Sequence, residues 1–275
     1  MSAYAEQFAS LVCSASERDL RADPTLAGRF ALERYNGLVV SYAPFEYIQQ
    51  GARVVIAGIT PGAQQASNAL CEFRRRLIAG DDLTTALAAA KVFASFSGPM
   101  RTNLVAMLDR VGLAKWLEVA TSAALWTTHE RMVHFTSVLR YPTFVGGANY
   151  NGQPPMAESP SLLRLLDGCL REEAAALPGA VWIPLGPKAA AGVQHLVKTR
   201  ALDPARVLVG LPHPSGANGE RIAYFIGRKP REALSSKTDP GALDAARARL
   251  TELVGSLPTL SRAADEPAHA LRFVG

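Results

Sequence analysis

Three short segments hold side chains whose types and spacing suit chemistry. In Pro212-His213-Pro214-Ser215-Gly216-Ala217-Asn218 an imidazole stands between two prolines. Each proline restricts the backbone beside it, so the ring is held rather than free. A stiff loop of this kind at a strand end presents both an imidazole and a hydroxyl. A plain turn rich in turn formers would have the same composition. In Gly58-Ile59-Thr60-Pro61-Gly62-Ala63-Gln64-Gln65 two glycines and a proline follow a short apolar run. Backbone N–H groups of such a turn can face a ligand at the start of the next helix. No Gly-Lys-Ser/Thr follows, and the glycine spacing is not that of a dinucleotide fingerprint. A simple strand-to-helix turn is the other reading. The third segment is Phe135-Thr136-Ser137-Val138, taken with Phe96. An aromatic face and a polar side chain at a strand end are what a planar heterocycle needs. Core packing is the other reading of Phe96.

These segments need elements that bring them together. Residues 54–57, 134–139, 181–185 and 207–211 are short, nearly continuous apolar runs, as in strands buried on both faces. Between them, 66–78, 83–93, 101–111, 162–177 and 188–199 carry helical patterning. Residues 4–18 read as a helix followed by a polar loop to about residue 50. Residues 222–225 read as a helix after the His213 loop, 240–257 as a last helix, and the tail from Thr259 as loosely ordered. Strands alternating with helices predict an α/β chain with a mostly parallel, four-stranded central sheet in three layers. Ligands of such sheets bind beyond the carboxyl ends of the strands, where Gly58, Ser137 and His213 fall. The loop at 140–160, rich in Gly, Asn and Pro, is long enough to be functional. Within it, 146–155 is expected to cap the pocket through Tyr150 and Asn151. No repeat, low-complexity segment or domain boundary is evident, so 1–275 reads as one domain with its core at about 50–231.

Composition bounds the class. The chain has 275 residues, 48% of them hydrophobic and 19% charged, which excludes a disordered or fibrous protein. Twenty-nine Lys and Arg against 24 Asp and Glu leave a net charge of +5, compatible with a polyanion partner without requiring one. Cys13, Cys71 and Cys169 form no C-x-x-C pair, so no disulfide framework, structural zinc or four-thiolate cluster is expected, and no cofactor or metal. The start, MSAYAEQFAS, lacks the basic region of a secretory signal, and the most apolar window, 174–193, is broken by prolines and Lys188. A cytoplasmic location is expected.

Taken together, GITPG after the first strand and HPSGAN after the last resemble the uracil-DNA glycosylase superfamily. SFSGPMRTNL (95–104), HFTSVLRYP (134–142) and VWIPLGPKAA (181–190) are similar to its intervening motifs, in the same order. The resemblance covers about residues 50–231 and is nearest to members with a Pro-Gly first motif. It implies a uracil-DNA glycosylase-like fold and a hydrolase that removes uracil or another deaminated base from DNA.

Position by position, the resemblance places Gly58, Ile59, Pro61 and Gly62 along one edge of a flipped base, and Gln64 or Gln65 could position a water but cannot deprotonate it. It places Phe96 on the base ring, Ser137 at its amide edge and His213 as donor to the departing anion. Thr60 falls at the position that helps the attacking water. Pro214, Ser215, Gly216, Ala217, Asn218 and Arg221 would grip DNA. Two departures stand out. A Thr60 hydroxyl is not acidic enough to serve as a general base at neutral pH. Ser137 replaces an amide that many relatives carry, and a single hydroxyl discriminates less. Arg101, Arg140, Arg228, Lys229 and Arg231 are further candidates for phosphate contacts at the mouth, or an ordinary solvated surface. Arg74-Arg75-Arg76 reads as a solvated helix face.

Three functions remain open on these residues. The first is a DNA glycosylase. The second is a non-catalytic binder of damaged bases or nucleobases, suggested by Thr60 and Ser137 at the two most chemical positions. The third is an unrelated small-molecule α/β enzyme, suggested by the modest charge.

Overall fold

The computed structural model of the chain describes residues 3–259. The tail beyond Thr259 lies outside the described residues. In chain order the elements are α1 (Ala3–Ser14), α2 (Glu17–Ala22), β1 (Ala31–Tyr35), β2 (Leu38–Ser41), β3 (Val54–Gly58), α3 (Ala63–Ile78), α4 (Leu83–Ala94), α5 (Pro99–Arg110) and α6 (Leu113–Trp116). Then follow β4 (Val133–Ser137), β5 (Thr143–Val145), β6 (Ala148–Asn149), α7 (Pro160–Ala176), β7 (Val181–Pro184), α8 (Gly186–Lys198), α9 (Gly219–Phe225) and α10 (Pro240–Ser256).

The helices start where the sequence supplies caps. Asp82, Ser159 and Asp239 each accept a backbone N–H in the first turn of α4, α7 and α10. Pro99, Pro160 and Pro240 stand in first turns, where a missing N–H costs nothing.

The fold is mixed α/β. Its central sheet is parallel, in the order β4-β3-β7, with Ile56 opposite both Phe135 and Ile183. Every residue of the three strands is buried. Their side chains alternate between two apolar clusters. Val55, Ala57 and Trp182 pack with α3, α4 and α8, whereas Val54, Ile56, Phe135 and Ile183 pack with α5 and α10. Helices thus cover both faces, as buried parallel strands require.

The expected fourth parallel strand is not formed. Residues 207–211 touch β7 through one bridge, Val207 to Trp182, and the Leu208 N–H donates to the Trp182 carbonyl at 2.8 Å. Gly210, at φ +135°, then turns the chain out of the extended region, and Pro212 has no N–H to continue a ladder. The central sheet therefore has three strands.

A second sheet, antiparallel in the order β1-β2-β5-β6, corrects two further expectations. The polar stretch before residue 50 holds the β1–β2 hairpin, and the long loop at 140–160 holds β5 and β6. Both hairpins turn on two residues at positive φ, Asn36-Gly37 and Gly146-Gly147. Such turns match the twist of the strands they join. The expected helix at 4–18 is two helices, the second capped by Ser16.

Candidate functional site

The carboxyl ends of β3 and β4 meet in register, Gly58 opposite Ser137. Above them lies a cleft of about 380 Å³ lined by Gly58, Ile59, Thr60, Gly62, Gln64, Gln65, Phe96, Ser137 and His213, closed by Met100, Asn149, Tyr150 and Asn151. Three segments far apart in sequence thus converge on one concavity.

His213 is mostly buried, and burial lowers the pKa of its imidazole below the ordinary value. Its Nδ1 accepts the Ser215 backbone N–H at 3.3 Å. The neutral ring therefore carries its proton on Nε2. Gly186, at φ +80°, opens α8 against this histidine, and a Cβ there would stand 3.0 Å from that of His213. The Asn103 amide of α5 donates to the Pro214 carbonyl at 3.0 Å, fixing the loop from the other side.

Phe96 holds an unusual backbone, φ +49°, although it is buried and aromatic. Such a conformation costs on the order of 1 kcal/mol and persists only when its surroundings impose it. They do so here. Phe96 meets Phe135 edge-on at 6.0 Å, Phe135 stacks on Trp126 at 4.6 Å, and the Trp126 indole donates to the Ser95 carbonyl at 3.0 Å. Arg101 lies over Trp126 and donates to the Phe93 and Ser95 carbonyls, so it braces this loop. Gly58 leaves room for the Phe96 ring, since a Cβ there would lie 3.6 Å from Phe96 Cε1 and 3.4 Å from Ser137 Oγ.

Thr60 lines the cleft, but its hydroxyl is engaged. Oγ1 donates to the Tyr141 carbonyl at 3.0 Å and accepts the Thr143 N–H at 3.0 Å. It ties the β3 turn to the start of β5. Gln65 accepts the Gly62 N–H at 3.2 Å, and the exposed Gln64 donates to Asn68 at 3.0 Å. Tyr150 and Asn151 lie on the cleft wall as the sequence suggests. The Tyr150 hydroxyl, pushed up to about 12 by burial, donates to the Pro154 carbonyl at 2.6 Å.

Other expected site residues lie elsewhere. Pro61 is buried behind the cleft against a void of about 10 Å³. Ser215 to Asn218 stand outside the cleft lining, with Gly216 and Ala217 exposed, while Pro214 is buried. Arg221 is exposed and bridges Asn218 and the Lys237 carbonyl. Lys229 pairs with Glu220, whereas Arg228 and Arg231 are exposed. Arg74 donates to the Ala15 carbonyl, Arg75 pairs with Glu72 and Arg76 with Asp81.

Arg140 is corrected outright. It is buried rather than at the mouth, donating to Glu173 at 2.8 Å and to the Cys169 carbonyl at 2.9 Å. It belongs to a buried polar cluster that the sequence reading missed, with Glu46, Lys91, His134 and Glu173. Lys91 Nζ donates to the Tyr47 carbonyl at 2.7 Å, and burial lowers its pKa to about 8. His134 Nε2 stands 3.3 Å from Glu173. The available signal was Lys91, the only charge in a twelve-residue helix of otherwise small and apolar side chains.

No helix among the described residues is long and apolar enough to cross a membrane. No family model matches the chain, and no solved structure matches it. The chain is similar to the uncharacterized protein YoxB of Bacillus subtilis (strain 168), with 37% identity over 229 residues. The match takes in 82% of the chain and 88% of YoxB. At that identity and coverage, the chain belongs to the same family as YoxB.

Proposed function

We propose that the chain is a DNA glycosylase of the uracil-DNA glycosylase type, hydrolysing the N-glycosidic bond of uracil or another deaminated base to leave an abasic site. The observation that carries this reading is the convergence of Phe96, Ser137 and His213 on one cleft, with the Nε2 proton of His213 held available by Ser215. The parallel strands, covered on both faces and followed by the His213 loop, are consistent with the three-layer fold of that superfamily.

In this reading the flipped base lies against Phe96, and Ser137 meets its polar edge. As the glycosidic bond breaks, its electron pair passes to the base and positive charge develops on the sugar. His213 Nε2–H donates to the base oxygen that gains charge, and a preorganised donor of this kind is worth ~10²–10³ in rate. A water oxygen then bonds to the sugar carbon and releases its proton to solvent or to the base. Thr60 helps only through the fold, because its hydroxyl proton is engaged by Tyr141. The exposed tip at Gly216 and Ala217, with Arg221 beside it, is where this reading sets the DNA.

The same Thr60 geometry favours a second reading, a base binder without turnover. The test uses oligonucleotides holding one uracil, hypoxanthine or xanthine, treated with alkali after incubation with the protein. Strand cleavage that disappears with His213→Ala supports the glycosylase. No cleavage across the panel, single- or double-stranded, overturns it, and base binding without cleavage leaves the binder.

A further inference from the structure

Asn149 lines the cleft, and a contact outside the cleft sets the orientation of its carboxamide. Asn149, on β6, accepts the Ala63 backbone N–H through Oδ1 at 3.0 Å. Ala63 opens α3, so this bond satisfies one of the free donors at the start of that helix. A carboxamide turned over would set its own N–H₂ against the Ala63 N–H, two donors with no acceptor. The group therefore keeps one orientation, and its Nδ2 faces the turn at Gly62, where a Cβ would lie 3.3 Å away. Among the described residues Nδ2 has no protein acceptor, and Asn149 is exposed on the cleft wall.

We infer that Asn149 determines specificity, presenting Nδ2–H as a fixed donor to a carbonyl oxygen of the base in the cleft. This rests on reading the cleft as a base pocket. Deaminated bases carry a carbonyl where their parents carry an amine: uracil against cytosine, hypoxanthine against adenine. A donor that cannot turn pairs with the carbonyl and opposes the amine. The Ser137 hydroxyl rotates and can donate or accept, so it cannot make this distinction alone. Asn149 thereby supplies from the second sheet a directional contact that Ser137 lacks.

Asn149→Asp separates this role from helix capping. The aspartate still accepts the Ala63 N–H, and its charge suits a helix N-terminus. It replaces the free donor with an acceptor. Asn149→Ala removes both. Free uracil and cytosine are titrated into the full-length protein and followed by NMR, with melting temperatures measured alongside. The wild type should prefer uracil. Asn149→Asp should lower the uracil-to-cytosine ratio about tenfold or more at an unchanged melting temperature, while Asn149→Ala also melts lower. An unchanged ratio in Asn149→Asp, or no binding of either base by the wild type, overturns the inference. Base release from uracil DNA is measured on the same proteins. Release that is equal in wild type and Asn149→Asp overturns the inference and leaves the glycosylase standing. An altered binding ratio without any release by the wild type supports the inference and overturns the glycosylase.

Discussion

The backbone N–H of Ser215 donates to Nδ1 of His213 at 3.3 Å, two residues along the same loop. This bond fixes which nitrogen bears the proton when the ring is neutral, and burial favours the neutral ring. Base release should therefore use neutral His213 as a donor. A pKa below the ordinary value keeps the neutral form present down to a lower pH than a free imidazole would. The acid limb of kcat/KM should then fall below pH ~6.5, the ordinary histidine value. His213→Ala should lose ~10²–10³ in kcat and lose that limb. A pH-rate profile of both proteins checks this, and an acid limb that survives the substitution assigns it elsewhere.

Thr60 tests the opposite case, a residue at a chemical position with a structural hydroxyl. Thr60→Val keeps the shape and removes both hydrogen bonds, leaving the Tyr141 carbonyl and the Thr143 N–H without their partner. Each loss costs ~1–3 kcal/mol where water cannot replace it. The melting temperature should drop by several degrees, since about 1 kcal/mol corresponds to ~2–4 °C in a chain of this size. Base release per folded molecule should change less than threefold. A large loss of kcat at an unchanged melting temperature would return Thr60 to the catalytic set.

Gly58 tests the shape of the cleft. A methyl group there lies in the narrow space between Ser137 Oγ and the Phe96 ring, at 3.4 and 3.6 Å. These are tight but ordinary contacts, so Gly58→Ala should fold. The added methyl occupies the strand end where the base edge would lie. Base binding should weaken by about tenfold or more while thermal stability changes by less than ~1 kcal/mol, the scale of a Gly→Ala change at a backbone position both residues can adopt. Titration with uracil beside a thermal melt decides it.

The parts of this site legible in the sequence are those carried by local chemistry. The apolar run ending at Gly58, the proline-bounded His213 and the apolar strand before Ser137 each declare a buried strand or a stiff loop within ten residues. Their meeting in one cleft follows from the parallel order of the strands. The second sheet left only its turns, Asn36-Gly37 and Gly146-Gly147, as signals, and was missed because β1 is only half-buried, β6 is two exposed residues, and neither shows an apolar alternation. The strand expected at 207–211 failed because Gly210 and Pro212 interrupt the ladder that its valines and leucines favour. The buried charges were beyond local reading. Nothing near Arg140 in sequence shows that Glu173, 33 residues later in α7, turns inward to meet it.

Those buried charges set the pH dependence of stability. Burial alone would raise the Glu173 carboxyl, but the Arg140 guanidinium, with His134 and Lys91, outweighs it and holds the group well below the usual carboxylate range. Glu46 shows the reverse balance. Burial pushes its carboxyl up to about 6 from 4.5, and Lys91 and Arg140 only partly oppose this. The folded chain therefore holds the Glu46 proton more tightly than the unfolded chain, and the contribution of this carboxyl to stability falls as pH rises through the window from about 4.5 to about 6, while the buried neutral His134, its pKa lowered to about 4, contributes in the opposite sense. Above that window the charged carboxylate costs about 2 kcal/mol, from 1.36 kcal/mol per pKa unit. Glu46→Gln removes the charge and keeps the size. It should leave stability at pH 4 nearly unchanged and raise it by about 2 kcal/mol at pH 8. Urea unfolding of both proteins across that range checks the sign. A Gln variant less stable than the wild type at pH 8 would mean that the Glu46 carboxylate holds Lys91 and Arg140 in place more strongly than its own burial costs.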